Sequence, residues 1–90
     1  MFKTLEELID VIRERKKFSN EESYTHKLLN NKELSVKKVK EEIAELIDSI
    51  EKNTNQVHEA ADVLYHLLVL LEANGIKIED VMSELKKRKK

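Results

Sequence analysis

Cysteine is absent from this 90-residue chain, which excludes disulfides, a thiolate metal site and a thiol nucleophile. Proline is also absent and glycine occurs once, at Gly75, so little in the sequence interrupts a helix. There is no tryptophan, and only two tyrosines and two phenylalanines supply aromatic surface. The densest apolar run, Leu67 to Leu71, is far too short to span a bilayer. Met1-Phe2-Lys3-Thr4 lacks the pattern of a signal peptide, so a soluble, cytoplasmic protein is the expectation, with no membrane partner. The net charge is only −1 with both signs interspersed, which argues against a nucleic-acid partner held by overall basic charge.

What remains is rich in Glu, Lys and Leu, and it predicts an all-α fold of four to five helices in a single domain, 1–90. A core this small is marginal by itself, so a bound metal or a second copy is expected to support it. The first helix is expected over Leu5 to Lys16, with Thr4 and Glu7 as a capping box and Leu5, Leu8, Ile9 and Ile12 as its apolar face. Phe18 to Glu22 has turn character. A short helix, Ser23 to Asn30, turns Tyr24, Leu28 and Leu29 inward. The third starts at Ser35 as N-cap and runs to Lys52, with an apolar stripe of Val36, Val39, Ile43, Leu46, Ile47 and Ile50. After a turn at Asn53-Thr54-Asn55, the fourth runs from Gln56 to Asn74, ended by Gly75. The last covers Ile78 to Arg88, and the basic tail 86–90 is expected to fray as a solvated helix end.

The segment Val57 to Leu71 is apolar on most positions yet carries Glu59, Asp62 and His66 on one narrow stripe. A helix apolar around most of its circumference is buried on several sides, and one short chain has few helices to bury it. A homodimer or larger oligomer centred on this helix is therefore expected. On the preceding helix, Glu41, Glu42 and Glu45 can share a patch. Glu-x-x-Glu (Glu42, Glu45) facing Glu-x-x-Asp (Glu59, Asp62) would bring four carboxylates together in an antiparallel hairpin. Two like charges ~4 Å apart repel by roughly 4 kcal/mol at an effective dielectric near 20, so such a group needs a cation or protons. All-oxygen ligands favour Mg²⁺, with Mn²⁺ possible, over zinc.

The plainer readings stand beside these. Glu41, Glu42 and Glu45 alone would read as solvated helix surface, and Lys38 could simply pair with Glu42 four residues on. His66 reads more naturally as a hydrogen-bonded residue behind the ligands than as a ligand. His58 and His26 carry no signal. A carboxylate-held divalent cation polarises phosphoryl oxygens, and with no covalent nucleophile in evidence the natural reaction is attack of water on a phosphoanhydride. Arg15, Lys16 and Lys38 are the candidate cations for the substrate's phosphates.

Several stretches resemble the phosphoribosyl-ATP pyrophosphatases of histidine biosynthesis, a family within the MazG-like all-α nucleotide pyrophosphohydrolases. They are Val11-Ile12-Arg13-Glu14-Arg15-Lys16, Ser23-Tyr24-Thr25, Lys38-Val39-Lys40-Glu41-Glu42-Ile43-Ala44-Glu45 and His58 through Leu71. The paired acidic motifs mark the broad superfamily. The Ser-Tyr-Thr segment and Asp-x-x-Tyr-His-Leu-Leu-Val-Leu-Leu are more specific. The resemblance implies a dimeric helical bundle with Mg²⁺ held by Glu42, Glu45, Glu59 and Asp62. It further implies that Glu41 orients water or stands behind the ligands, with Glu41 and Glu42 the catalytic carboxylates near the attacking water, and it places Arg15, Tyr24, Thr25 and Lys38 on the substrate side. The implied reaction is hydrolysis of phosphoribosyl-ATP to phosphoribosyl-AMP and pyrophosphate by a stand-alone enzyme.

One position departs from the family pattern: Lys40 stands where glycine is usual, adding a cation beside the acidic cluster. It keeps open a house-cleaning enzyme acting on free nucleoside triphosphates. A helical assembly module without catalysis is the rival from another class.

Overall fold

The computed structural model describes residues 1–17 and 23–89. The turn expected at Phe18 to Glu22, and the last residue of the basic tail, lie outside them. Among the described residues there are five helices and no strand: α1 (Lys3–Lys17), α2 (Tyr24–Leu29), α3 (Lys32–Lys52), α4 (Gln56–Ala73) and α5 (Ile78–Arg88).

Local capping chemistry sets the helix ends. Ser23 caps α2, its hydroxyl accepting from the His26 amide at 3.3 Å. The N-cap of α3 is Asn31, whose side chain accepts from Leu34 N–H at 3.0 Å; Ser35, expected in that role, lies inside the helix and is buried. Asparagine caps as well as serine, and nothing in Lys32-Glu33-Leu34 opposes an earlier start. Likewise α1 begins at Lys3, so Thr4 is helical rather than capping. At the other end of the chain, α5 continues through Arg88, which pairs with Glu84 at 3.1 Å, so the tail keeps helical order as far as 88.

α3 and α4 close in the same way. Gly75 has φ +70, with Ile76 N–H bonding to Leu71 C=O at 2.9 Å and Gly75 N–H to Glu72 C=O at 3.2 Å. This is the 6→1 and 5→2 pair of a Schellman ending. Asn53, φ 57, does the same for α3: Thr54 N–H bonds Ser49 C=O at 2.9 Å and Asn53 N–H bonds Ile50 C=O at 3.3 Å. A three-residue turn with two left-handed asparagines, Asn53 and Asn55 (φ 49), then folds α4 back along α3.

The core sits among α1, α2 and α4: Ile9, Ile12, Leu28, Leu68 and Val69 are buried, with Leu5, Leu8, Leu29, Leu34, Tyr65 and Ile78 packed against them. The predicted inward face of α1 is thus the observed one. The α3 stripe is not. Val39 is buried, but Ile43, Ile47 and Ile50 are exposed, while Ser35 and Ser49 are buried. The covered row of α3 is Ser35, Val39, Glu42, Leu46 and Ser49, the first, second and last of them buried. At about 100° per residue the isoleucine row lies roughly a quarter turn away.

α4 shows the same split. His66, Leu68 and Val69 are buried, whereas Val57, Leu64 and Leu67 are exposed in the single chain. α5 is the least embedded element: none of its residues is buried, and Met82 and Leu85 are exposed. No helix among the described residues is long and apolar enough to cross a membrane.

Candidate metal centre

The hairpin sets the carboxylates. Glu42 and Glu45 are one turn apart on α3, and Glu59 and Asp62 one turn apart on the first half of α4. Oxygen atoms of Glu42, Glu45 and Glu59 lie within 4.8 Å of one another. Atoms of Glu59, Asp62 and His58 make a second, overlapping group at the same spacing. Glu59 joins the two. Both Glu42 and Glu59 are half-buried, and each has one carboxylate oxygen, Oε2, that is sealed from solvent and has no hydrogen-bond partner.

The electrostatics follow from that geometry. Burial pushes the Glu42 carboxyl above its ordinary value, and Glu45 and Asp62 push the same way, with His66 opposing. Burial likewise raises Glu59, reinforced by Glu45 and Asp62 and opposed by His58. Carboxylates in such a place either hold protons or meet a cation. The donors are all hard oxygens apart from His58, and two of those oxygens are buried and unpartnered. That set fits a hard divalent cation. The four residues predicted as ligands are therefore brought into one neighbourhood, Glu42, Glu45 and Glu59 mutually close and Asp62 beside Glu59.

Glu41 is not part of that cluster. It turns toward Lys38 at 3.3 Å and Lys37 at 3.9 Å. The expected pairing of Lys38 with Glu42 is replaced by this i,i+3 pair, and the Glu41 contact raises the lysine's affinity for its proton. Lys40, about 200° around the helix from Glu42, faces away from the carboxylates. It is exposed along a shallow groove with Val36 and Lys37.

Behind the cluster stands His66, buried on α4. Its Nδ1–H donates to the Asp62 main-chain carbonyl at 2.8 Å, and the Tyr24 hydroxyl lies 3.0 Å from Nε2. Tyr24, expected to face inward, instead has its ring half in solvent. Its neighbour Thr25 hydrogen-bonds the Tyr65 hydroxyl, which ties α2 to α4. The α4 backbone at Asp62 is thus joined to α2 through His66 and Tyr24; burial pushes the Tyr24 phenol above its ordinary value, with the Lys38 charge opposing.

Not every predicted residue converges here. Lys16 donates to the main-chain carbonyl of Glu72 at 2.6 Å, near the far end of α4. That is ten residues from Asp62, about 15 Å along the helix axis. Arg15, half-buried, belongs to the same last turn of α1. Sequence reasoning also missed two residues. His58 Nε2 lies 3.3 Å from Asp62 Oδ2, a contact that their i,i+4 spacing could have signalled. Arg13 anchors α1 to α4 and α5, with Nε 2.6 Å from Glu72 and its two terminal nitrogens 2.9 and 2.6 Å from Glu79. Nothing in the spacing of residues 13, 72 and 79 announces that network.

Helices alone among the described residues, two acidic motifs on facing helices and buried carboxylate oxygens without partners define a class: small helical proteins with an acidic cluster that could hold a metal ion. Comparison with known proteins narrows it. Residues 5–89 match the phosphoribosyl-ATP pyrophosphohydrolase family, and the chain belongs to that family. It is 45% identical over 91 residues to the phosphoribosyl-ATP pyrophosphatase of Pyrobaculum arsenaticum, an alignment covering 98% of this chain and 97% of that one. It is 42% identical over 90 residues to the phosphoribosyl-ATP pyrophosphatase of Clostridium novyi, covering 96% of this chain and 81% of the relative. The histidine biosynthesis bifunctional protein HisIE of Pyrococcus furiosus is 45% identical over 87 residues. There the alignment takes in 96% of this chain but only 41% of the longer relative. No solved structure matches.

Proposed function

We propose that this protein hydrolyses the α–β phosphoanhydride of phosphoribosyl-ATP, releasing pyrophosphate and phosphoribosyl-AMP, the second step of histidine biosynthesis. The observation that carries the proposal is the meeting of Glu42, Glu45 and Glu59 within 4.8 Å, with two buried oxygens unpartnered, in a chain of this family. Glu42, Glu45, Glu59 and Asp62 would hold Mg²⁺, or Mn²⁺ in its place. Bound there, the ion supplies neutralisation of phosphoryl oxygens and acidification of water. Glu41 and Glu42 are the carboxylates proposed to orient the attacking water, Glu41 from a position where it pairs with Lys38. Lys38, at its side, offers a cation to the phosphates. Arg15, Lys16, Tyr24 and Thr25 are assigned to the substrate side; without substrate, Lys16 bonds the Glu72 carbonyl.

The active form is proposed to be a cytoplasmic homodimer. Ile43, Ile47 and Ile50 on α3 and Val57, Leu64 and Leu67 on α4 are exposed in the single chain. By helical geometry the two rows open on the same side of the hairpin, away from the α1–α2 core. So large an apolar face is unusual on a monomer. Sedimentation of the purified chain tests this, with Ile47→Asp expected to give monomers.

Pyrophosphate release from phosphoribosyl-ATP with Mg²⁺ is the deciding assay. No release at any Mg²⁺ or Mn²⁺ concentration overturns the proposal. Preference for a free nucleoside triphosphate would favour a house-cleaning role instead.

A further inference from the structure

We infer that His58, Glu59 and Asp62 form a second metal position at the solvent-facing rim of the carboxylate cluster, suited to an imidazole-binding first-row dication such as Zn²⁺ and not to Mg²⁺. This assignment rests on the metal-centre reading above and not on the choice of substrate.

Two overlapping groups of donors meet at Glu59, and they differ in kind. Glu42, Glu45 and Glu59 offer oxygen only. His58, Glu59 and Asp62 offer one ring nitrogen and two carboxylates, with donor atoms within 4.8 Å of one another. Mg²⁺ takes oxygen ligands and keeps several of its waters, so an imidazole adds nothing for it. Zn²⁺ and its neighbours in the row accept imidazole and carboxylate in the same shell.

The spacing agrees with that chemistry. His58 and Asp62 are one turn apart on α4, and Nε2 of the first lies 3.3 Å from Oδ2 of the second. Two donors ~2.0–2.1 Å from one tetrahedral ion stand about 3.3–3.4 Å from each other. Glu59 supplies the third donor. Its Oε2 is sealed from solvent and has no hydrogen-bond partner, even with His58 and Asp62 beside it. A helix surface built only for a His58–Asp62 pair has no use for that third, unpartnered oxygen.

Access separates the two groups as well. The His58 side chain is 73% exposed and that of Asp62 38%. A fourth coordination position at the rim therefore faces water, and an ion reaches it without any opening of the α3–α4 hairpin. Because the inner group also uses Glu59, the two positions are linked through that one side chain.

Isothermal titration of the full chain with Zn²⁺ and with Mg²⁺ tests the assignment in wild type, His58→Gln and Glu59→Gln. His58→Gln should weaken Zn²⁺ binding at least about tenfold, since even the partners of metal ligands contribute that much. Its Mg²⁺ affinity should stay within about twofold of wild type, because Mg²⁺ makes no use of the ring. Glu59→Gln should weaken both ions. In ¹H–¹⁵N spectra of the imidazoles, the His58 ring nitrogens should shift on addition of Zn²⁺ and not of Mg²⁺.

Unchanged Zn²⁺ affinity in His58→Gln, an equal loss for both ions, or Zn²⁺ shifts confined to His26 or His66 overturns the inference. Zn²⁺ affinity kept in Glu59→Gln overturns the three-donor site. A wild type that binds neither ion removes the metal-centre reading itself, whereas one that binds Mg²⁺ and not Zn²⁺ removes only the rim position.

Discussion

Helix α4 carries carboxylates at both ends, and the two ends treat them in opposite ways. Near its C-terminus, Glu72 is almost enclosed, its side chain 12% exposed, and it receives the Arg13 guanidinium at 2.6 Å. Arg13 also grips Glu79, the pair holding the Glu79 carboxyl down at about 2 and making the arginine harder to deprotonate. Near its N-terminus, Glu59 meets other carboxylates, and its acidity is pushed the other way. One end has its charges matched within the chain. The other is left electrostatically incomplete, although the positive end of the α4 dipole offers partial relief there. A buried charge matched internally serves the fold, and one left unmatched marks a place for something brought from outside.

The sharpest way to break this contrast is Glu59→Gln. Loss of metal-dependent turnover by at least about 100-fold is expected, more than partners of ligands usually contribute. In EDTA the same variant should melt at a higher temperature than wild type, because a crowded charge is gone. Addition of Mg²⁺ should raise the melting temperature of wild type and not of the variant. Equal turnover would remove Glu59 from the ligand set.

Leu28→Ala strikes the core that both ends share. A loss of about 2–5 kcal/mol in urea titration is expected, with metal affinity of the folded fraction preserved. At the matched end, Arg13→Ala strands Glu72 and should lower stability by about 1–3 kcal/mol, while turnover per folded molecule is kept. A large fall in kcat there would show that the two ends are not separate.

The smallest effect is in acid. The Glu79 carboxyl is more acidic in the folded chain than its ordinary value near 4.5, so its contribution is fully present above that value. It disappears as pH falls toward 2, and Glu79→Gln should flatten that part of the pH–stability curve.

These two ends also differ in how far they could be read from residues alone. The unmatched end was largely legible: Glu-x-x-Glu and Glu-x-x-Asp repeat at one helical turn, and a short link between them leaves an antiparallel hairpin as the natural arrangement. The matched end was not, because Arg13, Glu72 and Glu79 meet only through tertiary packing. Within α3, hydrophobicity misled. Ile43, Ile47 and Ile50 looked like core, but small Ser35 and Ser49 are the buried residues and the isoleucines are exposed in the single chain. Glu41 illustrates the same limit, as helical spacing allowed it into the cluster while the neighbouring lysines drew it out.

The turn at Asn53, Thr54 and Asn55 fixes more than the direction of the chain. Surface loops as a rule absorb insertions without harm. Here one added residue, if absorbed by the start of α4, would rotate Glu59 and Asp62 by about 100° away from Glu42 and Glu45 and leave both helices intact. The length of this small loop is thus a phasing element for the chemistry. An engineer grafting the hairpin elsewhere would need to carry the two left-handed asparagines along with the four acids.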